Sequence, residues 1–252
     1  MGVSGRRSLV EEQSPGAELA TMATYVLLHG AGSDSTYWQF VAPRLRERGH
    51  EVLTPDLPVD DDSAGLAEYT AVVVDAIGDR AGPILVAQSM AGFTVPLVCE
   101  RVSVALVVLV AAMVPATGES PGEWWSNTGQ EAARRALDEC EGRDPDAEFD
   151  PVATFLHDLP PELLETVLAD GARRQSDTPF EQQLPMPAWP DVPTRFLLCR
   201  QDRFFPADFQ RRVVRERLGI VPDEMDGGHL PALAHPEELT ARLEAYRVGA
   251  GL

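Results

Sequence analysis

The stretch Ala87-Gln88-Ser89-Met90-Ala91 decides the fold, because it joins a short buried strand to a helix through a turn centred on a serine. The preceding run Pro83-Ile84-Leu85-Val86 is apolar and of strand length, and residues 92–99 can form a helix. A serine in such a turn holds its hydroxyl out at the end of a sheet. Only small residues fit two positions before and after it, where the backbone passes close to itself. Both positions are alanine here.

Two further predicted strands end in polar or small residues. The strand at Tyr25–Leu28 runs into His29-Gly30-Ala31-Gly32, and the strand at Arg195–Cys199 is followed by Asp202. Later, Asp226-Gly227-Gly228-His229 precedes a C-terminal stretch that favours helix. Along the chain the serine comes first, the aspartate second and the histidine third. If they act as nucleophile, orienting acid and base, this order differs from the orders in two unrelated serine protease folds.

With these residues in place, the chain resembles the α/β-hydrolase superfamily from about Ala23 to its end. More narrowly, it is similar to the small branch with a cap that contains plant methylesterases, hydroxynitrile lyases and related bacterial esterases. The shared phrases are His29-Gly30-Ala31 with Trp38 shortly after, Asp202-Arg203-Phe204-Phe205-Pro206, and Gly227-Gly228-His229.

The resemblance assigns a role to each residue of the site. Ser89 would be the nucleophile, His229 the base that takes its proton, and Asp202 the carboxylate that orients the imidazole. The backbone N–H groups of Ala31 and Met90 would form the oxyanion hole. No cofactor or metal is expected, because the chain has no zinc-type His/Cys spacing, no phosphate-binding glycine loop with a lysine and no Gly-x-Gly-x-x-Gly.

Other residues compete for two of these roles. His235 is a second candidate base, although its place before Pro236 favours a position at the start of the last helix. Asp208 is a second candidate acid, although it falls within the first turn of a predicted helix, where the helix dipole favours a carboxylate. His157 is a candidate substrate contact, and His29 is expected to support the oxyanion loop by hydrogen bonding.

Two departures separate the chain from the hydroxynitrile lyases. In those enzymes a lysine follows the catalytic histidine, whereas Leu230 stands here and the sequence has no lysine. The lyases also tend to replace the glycine of the His-Gly pair, and Gly30 is intact. We therefore predict an enzyme, a serine hydrolase that cleaves a small-to-medium carboxylic ester through an acyl-enzyme. The alternatives are C–C, amide or lyase chemistry on the same scaffold, and a ligand-binding member with slow turnover.

Alternating strands and helices predict an α/β fold, with about six mostly parallel strands and helices on both faces of the sheet. The predicted strands are Tyr25–His29, Glu51–Pro55, Ile84–Gln88, Ala105–Ala111, Thr194–Cys199 and Glu224–Asp226. The predicted helices are Thr36–Arg48, Leu66–Asp79, Met90–Glu100, Gln130–Glu141, Pro160–Arg173, Ala207–Leu218 and Pro236–Tyr246. Residues 1–22 are predicted to be a flexible extension, with Met22 an alternative start.

The core is predicted to comprise residues 23–114 and 194–252. Residues 115–193, inserted after the fourth core strand, are predicted to form a helical cap. The insertion is rich in aromatic residues, which would exclude water and build an apolar substrate pocket. The candidate pocket residues are Gly30, Trp38, Trp124, Trp125, Phe155, Phe180 and Leu230.

Composition narrows the range of partners. The net charge of −19 in 252 residues disfavours nucleic acid, anionic membranes and strongly anionic substrates, so an apolar or weakly charged ester is expected. Three cysteines without C-x-x-C spacing predict a cytoplasmic protein, and no segment is expected to enter a membrane. The acidic runs 60–62 and 144–150 lack the features of an EF-hand loop. A monomer or homodimer is expected.

Overall fold

The computed structural model describes residues 22–252, and it contains one six-stranded, entirely parallel sheet in the order β2-β1-β3-β4-β5-β6. The strands are β1 (Thr24–Leu28), β2 (Glu51–Leu53), β3 (Ile84–Gln88), β4 (Leu106–Val110), β5 (Thr194–Cys199) and β6 (Asp223–Met225). The predicted fold class is therefore confirmed. The predicted N-terminal extension, apart from Met22, lies outside the described residues.

Alternate residues of each central strand face opposite sides of the sheet. In β3, Ile84 and Val86 pack with α1 (Val41–Glu47), α10 (Pro231–Ala234) and α11 (Pro236–Gly249). Leu85 and Ala87 point to the other face, which is covered by α2 (Leu66–Ile77), α3 (Thr94–Cys99) and α9 (Ala207–Leu218). Both faces are buried, which explains why the strands are continuously apolar.

Two predicted helices are interrupted, and in both a proline explains where. The segment predicted as Thr36–Arg48 is a 3-10 turn at Ser35–Trp38 followed by α1. A continuous helix would require Pro43 to donate an N–H that it lacks, and its ring would clash with the preceding turn. Pro96 has the same effect after Ser89, where a 3-10 helix at Ser89–Phe93 precedes α3.

Between β4 and β5, the insertion of residues 115–193 contains five helices. They are α4 (Pro121–Thr128), α5 (Gln130–Cys140), α6 (Pro151–Phe155), α7 (Pro161–Asp170) and α8 (Thr178–Glu181). Buried side chains of the insertion join the cores on both faces of the sheet, Trp124 and Leu184 on one and Leu159 on the other. Among residues 22–252, no helix combines the length and apolar character needed to cross a membrane.

Candidate active site

Ser89 lies at the turn between β3 and the following 3-10 helix, with a φ of +52°. This left-handed conformation is strained for a residue with a side chain, and such strain is found preferentially at functional sites. The turn is held from the end of β4, where the Met113 N–H donates to the Ser89 carbonyl at 2.9 Å.

The closest backbone approach near the turn occurs at Gly92, which the sequence analysis did not single out. A Cβ on Gly92 would lie 1.9 Å from the Met113 carbonyl oxygen. The tightest steric limit is therefore at Gly92, three residues after Ser89. It adds to the limit at the alanines that flank the serine. In the sequence, the signal that could have identified this close contact was a glycine in the first turn after the serine.

The structure brings Ser89, His229 and Asp202 into one hydrogen-bonded chain. Ser89 Oγ lies 3.0 Å from His229 Nε2, and His229 Nδ1 lies 2.8 Å from Asp202 Oδ2. All three residues are buried. With Nδ1–H donated to the carboxylate, the neutral imidazole presents Nε2 as an acceptor for the serine hydroxyl.

Asp202 is itself fixed by the loop that follows β5. Its Oδ1 accepts hydrogen bonds from the Phe204 and Phe205 N–H groups, both at 2.8 Å. Because this oxygen is satisfied by the backbone, Oδ2 is left to face the imidazole. The Asp202 side chain is fully buried. Because little water surrounds it, the attraction between the carboxylate and the imidazole is stronger than it would be in solvent.

The competing candidates, His235 and Asp208, take no part in the hydrogen bonds that link Ser89, His229 and Asp202. His235 lies at the start of α11, with Nε2 3.5 Å from Asp158 Oδ2. Asp208 lies in the first turn of α9, where its side chain is 95% exposed and pairs with Arg211 at 2.5 Å. Both residues contact groups other than Ser89.

The loop after β1 lies directly against the serine. A Cβ on Gly30 would approach Gln88 Oε1 to 2.5 Å and Ser89 Cβ to 2.9 Å, so a side chain there would displace the turn. His29 supports this loop as expected. The Leu57 N–H donates to its Nε2 at 3.0 Å, which leaves Nδ1–H to donate to the Gly30 carbonyl at 3.0 Å. Burial lowers the pKa of His29 and favours this neutral form.

Ala31 and Met90 border one small cavity, between the loop after β1 and the start of the 3-10 helix. Its volume is about 10 Å³, which is close to the minimum that holds one water. Met90 is in the first turn of the 3-10 helix, and Ala31 is exposed. The neighbouring Gly32 N–H points elsewhere and donates to Gln175 Oε1 at 3.0 Å. The cavity is lined by His29, Gly30, Ala31, Leu57, Tyr69, Met90, Ala91 and Thr94.

Three phenylalanine rings surround the His229 imidazole. Phe205, Phe204 and Phe155 lie with ring centroids 4.9, 5.1 and 5.4 Å from it. Phe155 belongs to α6, so the insertion contacts the His229 ring directly. Trp125 packs on the Phe204 ring at 5.4 Å and continues this apolar surface. Leu230, which directly follows His229, is half-buried.

Trp38 and Trp124, two of the candidate pocket residues, are buried in the hydrophobic core on opposite faces of the sheet. Trp38 is fully buried against Tyr37, on the face of the sheet covered by α1 and α11. Trp124 is 1% exposed, and its indole N–H donates to the Val114 carbonyl at 3.0 Å. Large rings at the start of a helix pack most readily against the adjacent sheet. Phe180 is half-buried on α8, outside the small cavity.

Within residues 22–252, no group of three or more His, Cys, Asp or Glu side chains is arranged to hold a metal ion. In the acidic run 60–62, the Asp61 carboxylate accepts from the Ser63 hydroxyl and the Asp62 carboxylate pairs with Arg174. These carboxylates therefore hold the loop together. Cys99, Cys140 and Cys199 are not paired in disulfides.

Comparison with known proteins places this geometry in a family. A family model described as "Alpha/beta hydrolase family" matches residues 25–243. Methylesterase 3 of Arabidopsis thaliana is 25% identical, over 86% of this chain and 93% of that protein. The structure of a pyrethroid hydrolase from Sphingobium faniae JZ-2 aligns with a TM-score of 0.68 and 21% identity, over 90% of this chain and 97% of that one. Polyneuridine aldehyde esterase aligns with a TM-score of 0.72 and 19% identity, over 90% and 99%.

Proposed function

This chain belongs to the α/β hydrolase family, a family of enzymes, and we propose that it is a serine hydrolase acting on small-to-medium carboxylic esters. One observation carries the proposal, the hydrogen-bonded chain from Ser89 Oγ through His229 to Asp202. A serine hydroxyl becomes a useful nucleophile at neutral pH only when an adjacent base removes its proton. The 3.0 Å separation between Ser89 Oγ and His229 Nε2 supplies that base.

In the first half-reaction, Ser89 Oγ attacks the ester carbonyl carbon while its proton passes to His229 Nε2. The carbonyl oxygen takes up the negative charge and is stabilised by the N–H groups of Ala31 and Met90. Loss of one such donor typically raises the barrier by about 2.7–4 kcal/mol. Collapse of the tetrahedral intermediate breaks the C–O bond, and the leaving alkoxide takes the proton from His229. Asp202 stabilises the imidazolium meanwhile.

In the second half-reaction, a water molecule repeats the attack on the acyl-enzyme. His229 takes a proton from the water, the second tetrahedral intermediate collapses, and Ser89 Oγ leaves with the proton returned from His229. The products are the carboxylic acid and the free enzyme. The burial of all three side chains strengthens the electrostatic contacts on which both steps depend.

The surroundings of His229 favour an apolar or weakly charged substrate. The rings of Phe155 and Phe204 offer an apolar wall, and the net charge of −19 would repel a strongly anionic ester at long range. The names of the related proteins, a methylesterase, a pyrethroid hydrolase and an esterase, agree with this class. Because Phe155 belongs to the insertion, we propose that residues 115–193 act as the cap.

The alternatives have less support. Leu230 directly follows His229, where the hydroxynitrile lyases have the lysine that stabilises cyanide. A ligand-binding protein with slow turnover needs no ordered base, yet here the imidazole is held by the serine on one side and the carboxylate on the other. The cysteines favour a reducing compartment, the cytoplasm.

The experiment is intact-mass spectrometry after exposure to a fluorophosphonate probe, with the wild type compared with Ser89→Ala. We expect one adduct per chain on the wild type and none on the variant, and hydrolysis of p-nitrophenyl esters lost in parallel. The absence of an adduct on folded wild type would contradict an activated serine. Labelling that persists in Ser89→Ala would place the nucleophile elsewhere.

A further inference from the structure

A segment of the insertion, residues 173–176, runs along the loop that carries Ala31. We call it the strap. The Arg173 N–H donates to the Gly32 carbonyl at 3.0 Å, and the Gly32 N–H donates to Gln175 Oε1 at 3.0 Å. Both backbone polar groups of Gly32 are therefore engaged by the strap. A further tie joins the Arg173 guanidinium to Asp34 at 2.6 Å.

The Gln175 side-chain amide lies between this loop and the wall of the small cavity. Its Nε2 donates to the Tyr69 hydroxyl at 3.2 Å and to the Ser176 carbonyl at 2.9 Å. Tyr69 and Ala31 both line the small cavity. One half-buried side chain thus connects the oxyanion loop, the cavity wall and the strap.

The loop needs such support because its own residues provide little. Gly30 has no side chain, Gly32 has a φ of +63° and Ala31 is exposed. From the core side, His29 Nδ1–H donates to the Gly30 carbonyl, while its Nε2 accepts from the Leu57 N–H. An oxyanion donor is effective when it lies about 2.7–3.1 Å from the position where the negative charge develops. The direction of the Ala31 N–H depends on the neighbouring peptide groups of Gly30 and Gly32.

We propose that Gln175 is a positioning residue of the oxyanion hole. By accepting the Gly32 N–H it fixes that residue against the strap and so restrains the adjacent Ala31 peptide group. The inference rests on the proposed hydrolase function, because it takes the Ala31 and Met90 N–H groups as the donors to the tetrahedral oxygen. With Gln175 in this role, the insertion both covers the oxyanion hole and helps to position its donors.

The test is Gln175→Leu, which is one atom shorter than glutamine and removes the side-chain amide, including the oxygen that accepts the Gly32 N–H. The matched control is Arg174→Gln in the same strap, because Arg174 pairs with Asp62 and with the Asp60 carbonyl. For p-nitrophenyl acetate we expect kcat of Gln175→Leu to fall between about 10-fold and about 100-fold, as for a misplaced catalytic group, with KM changed less than about twofold. Arg174→Gln should keep kcat within about twofold of wild type, because it leaves Gly32 untouched.

A second readout separates positioning from simple destabilisation. An aryl trifluoromethyl ketone forms a hemiketal with the serine and presents an oxyanion to the proposed donors, the Ala31 and Met90 N–H groups. Its inhibition constant should rise in Gln175→Leu by the same factor as kcat falls. A variant that is only less stable would have a lower Tm, but its inhibition constant and its kcat would not change by the same factor. If Gln175→Leu does not fold, Gln175→Met provides the same loss of acceptor with a flexible side chain.

The outcomes distinguish the two proposals. A wild type that is labelled by fluorophosphonate and hydrolyses the ester, with a Gln175→Leu variant equal to it in kcat, overturns the role of Gln175 alone. A change confined to KM also overturns it. A folded wild type that is neither labelled nor active overturns the hydrolase function, and the role of Gln175 with it.

Discussion

The Asp158 carboxylate of the insertion accepts a hydrogen bond from the Gly228 N–H at 2.6 Å, one residue before His229. A Cβ on Gly228 would lie 2.9 Å from Asp158 Oδ1 and 3.0 Å from His157 Nε2, so a side chain there would displace these two side chains. Hydrogen bonds to charged groups contribute about 1.5–3 kcal/mol. The insertion therefore holds the loop that carries His229.

We expect Asp158→Ala to lower kcat about tenfold, because the released loop lets His229 drift from Ser89 Oγ. Asp158→Asn keeps a carbonyl acceptor for the Gly228 N–H and should retain most of the wild-type kcat. Steady-state kinetics on p-nitrophenyl esters measures both variants. Equal losses in the two would indicate that the charge, and not the hydrogen bond, matters.

Alanine at Gly30 should abolish most activity while the protein still folds. The new Cβ would meet the Gln88 side chain and Ser89 Cβ, so the loop or the nucleophile must move by a few tenths of an ångström. We expect kcat/KM to fall by about 100-fold or more, since misplacement of a reacting group is costly. Activity assays combined with far-UV circular dichroism measure this, and a Gly30→Ala enzyme with wild-type kcat/KM would contradict the close packing.

Alanine at Gly92 should instead reduce stability. Its Cβ would lie 1.9 Å from the backbone oxygen of Met113, which cannot rotate away as a side chain would. We expect a loss of about 3 kcal/mol in the free energy of unfolding, the upper range for overpacking. Gly249→Ala is the control, because a Cβ there has no neighbour within 4 Å. Urea denaturation of the three proteins gives the comparison.

Strain at Ser89 predicts a difference between two inactive variants. Glycine adopts a φ of +52° freely, whereas alanine keeps the strain. Ser89→Gly should therefore be more stable than Ser89→Ala by about 1 kcal/mol, although both lose the hydrogen bond to His229. Chemical denaturation under identical conditions measures this difference. An alanine variant at least as stable as the glycine variant would mean that the turn is relaxed.

A buried ion pair ties the start of the insertion to α9. Arg217 contacts Glu119 at 2.5 and 2.9 Å, and their side chains are 15% and 2% exposed. Burial acts to raise the pKa of Glu119, but hydrogen bonds from Arg217, Asn127 and the Ala116 N–H outweigh it. The pKa therefore falls below the ordinary value of 4.5. A carboxyl with a lowered pKa stabilises the folded state above its unfolded pKa.

Glu119 should accordingly contribute fully above about pH 4.5, and this contribution should be lost as the pH falls through the lower folded pKa. Glu119→Gln leaves the Arg217 charge uncompensated and should cost about 3 kcal/mol at pH 7. The difference from wild type should shrink in acid. Urea denaturation between pH 7 and pH 3 tests this, and a constant difference would rule out titration of Glu119 in this range.

The aromatic residues of the insertion should separate into two groups. Phe155→Ala removes a ring that packs on His229, so we expect KM to rise about tenfold and Tm to change little. Trp124→Phe loses the hydrogen bond to Val114 and core volume, so it should lower stability by about 1–2 kcal/mol and leave KM unchanged. Kinetics and thermal unfolding of both variants test the assignment.

Much of the fold could be predicted because it depends on local patterns. The apolar runs of β3 and β4 and their alternation with helices indicated a parallel sheet, and the small residues around Ser89 indicated the turn. The continuous helices predicted across Pro43 and Pro96 were wrong, although the prolines themselves were a signal of the interruptions, since proline cannot donate in a helix. The aromatic residues were harder, because Trp38 and Phe155 are both apolar and only their neighbours decide which one lines the core.

The sequence by itself determined the strand-turn-helix unit at Ser89, the strands of the sheet and the chain order of the candidate triad, because each strand and each motif is carried by a short local run of residues. The tertiary structure decided that His229 and not His235 contacts Ser89, and that Asp158 and Gln175 support the site. Asp158 and its partner are 70 residues apart, and Gln175 and its partner are 143 apart. Contacts over such distances leave no periodicity in the sequence, because they form only where the insertion folds back onto the ends of the strands.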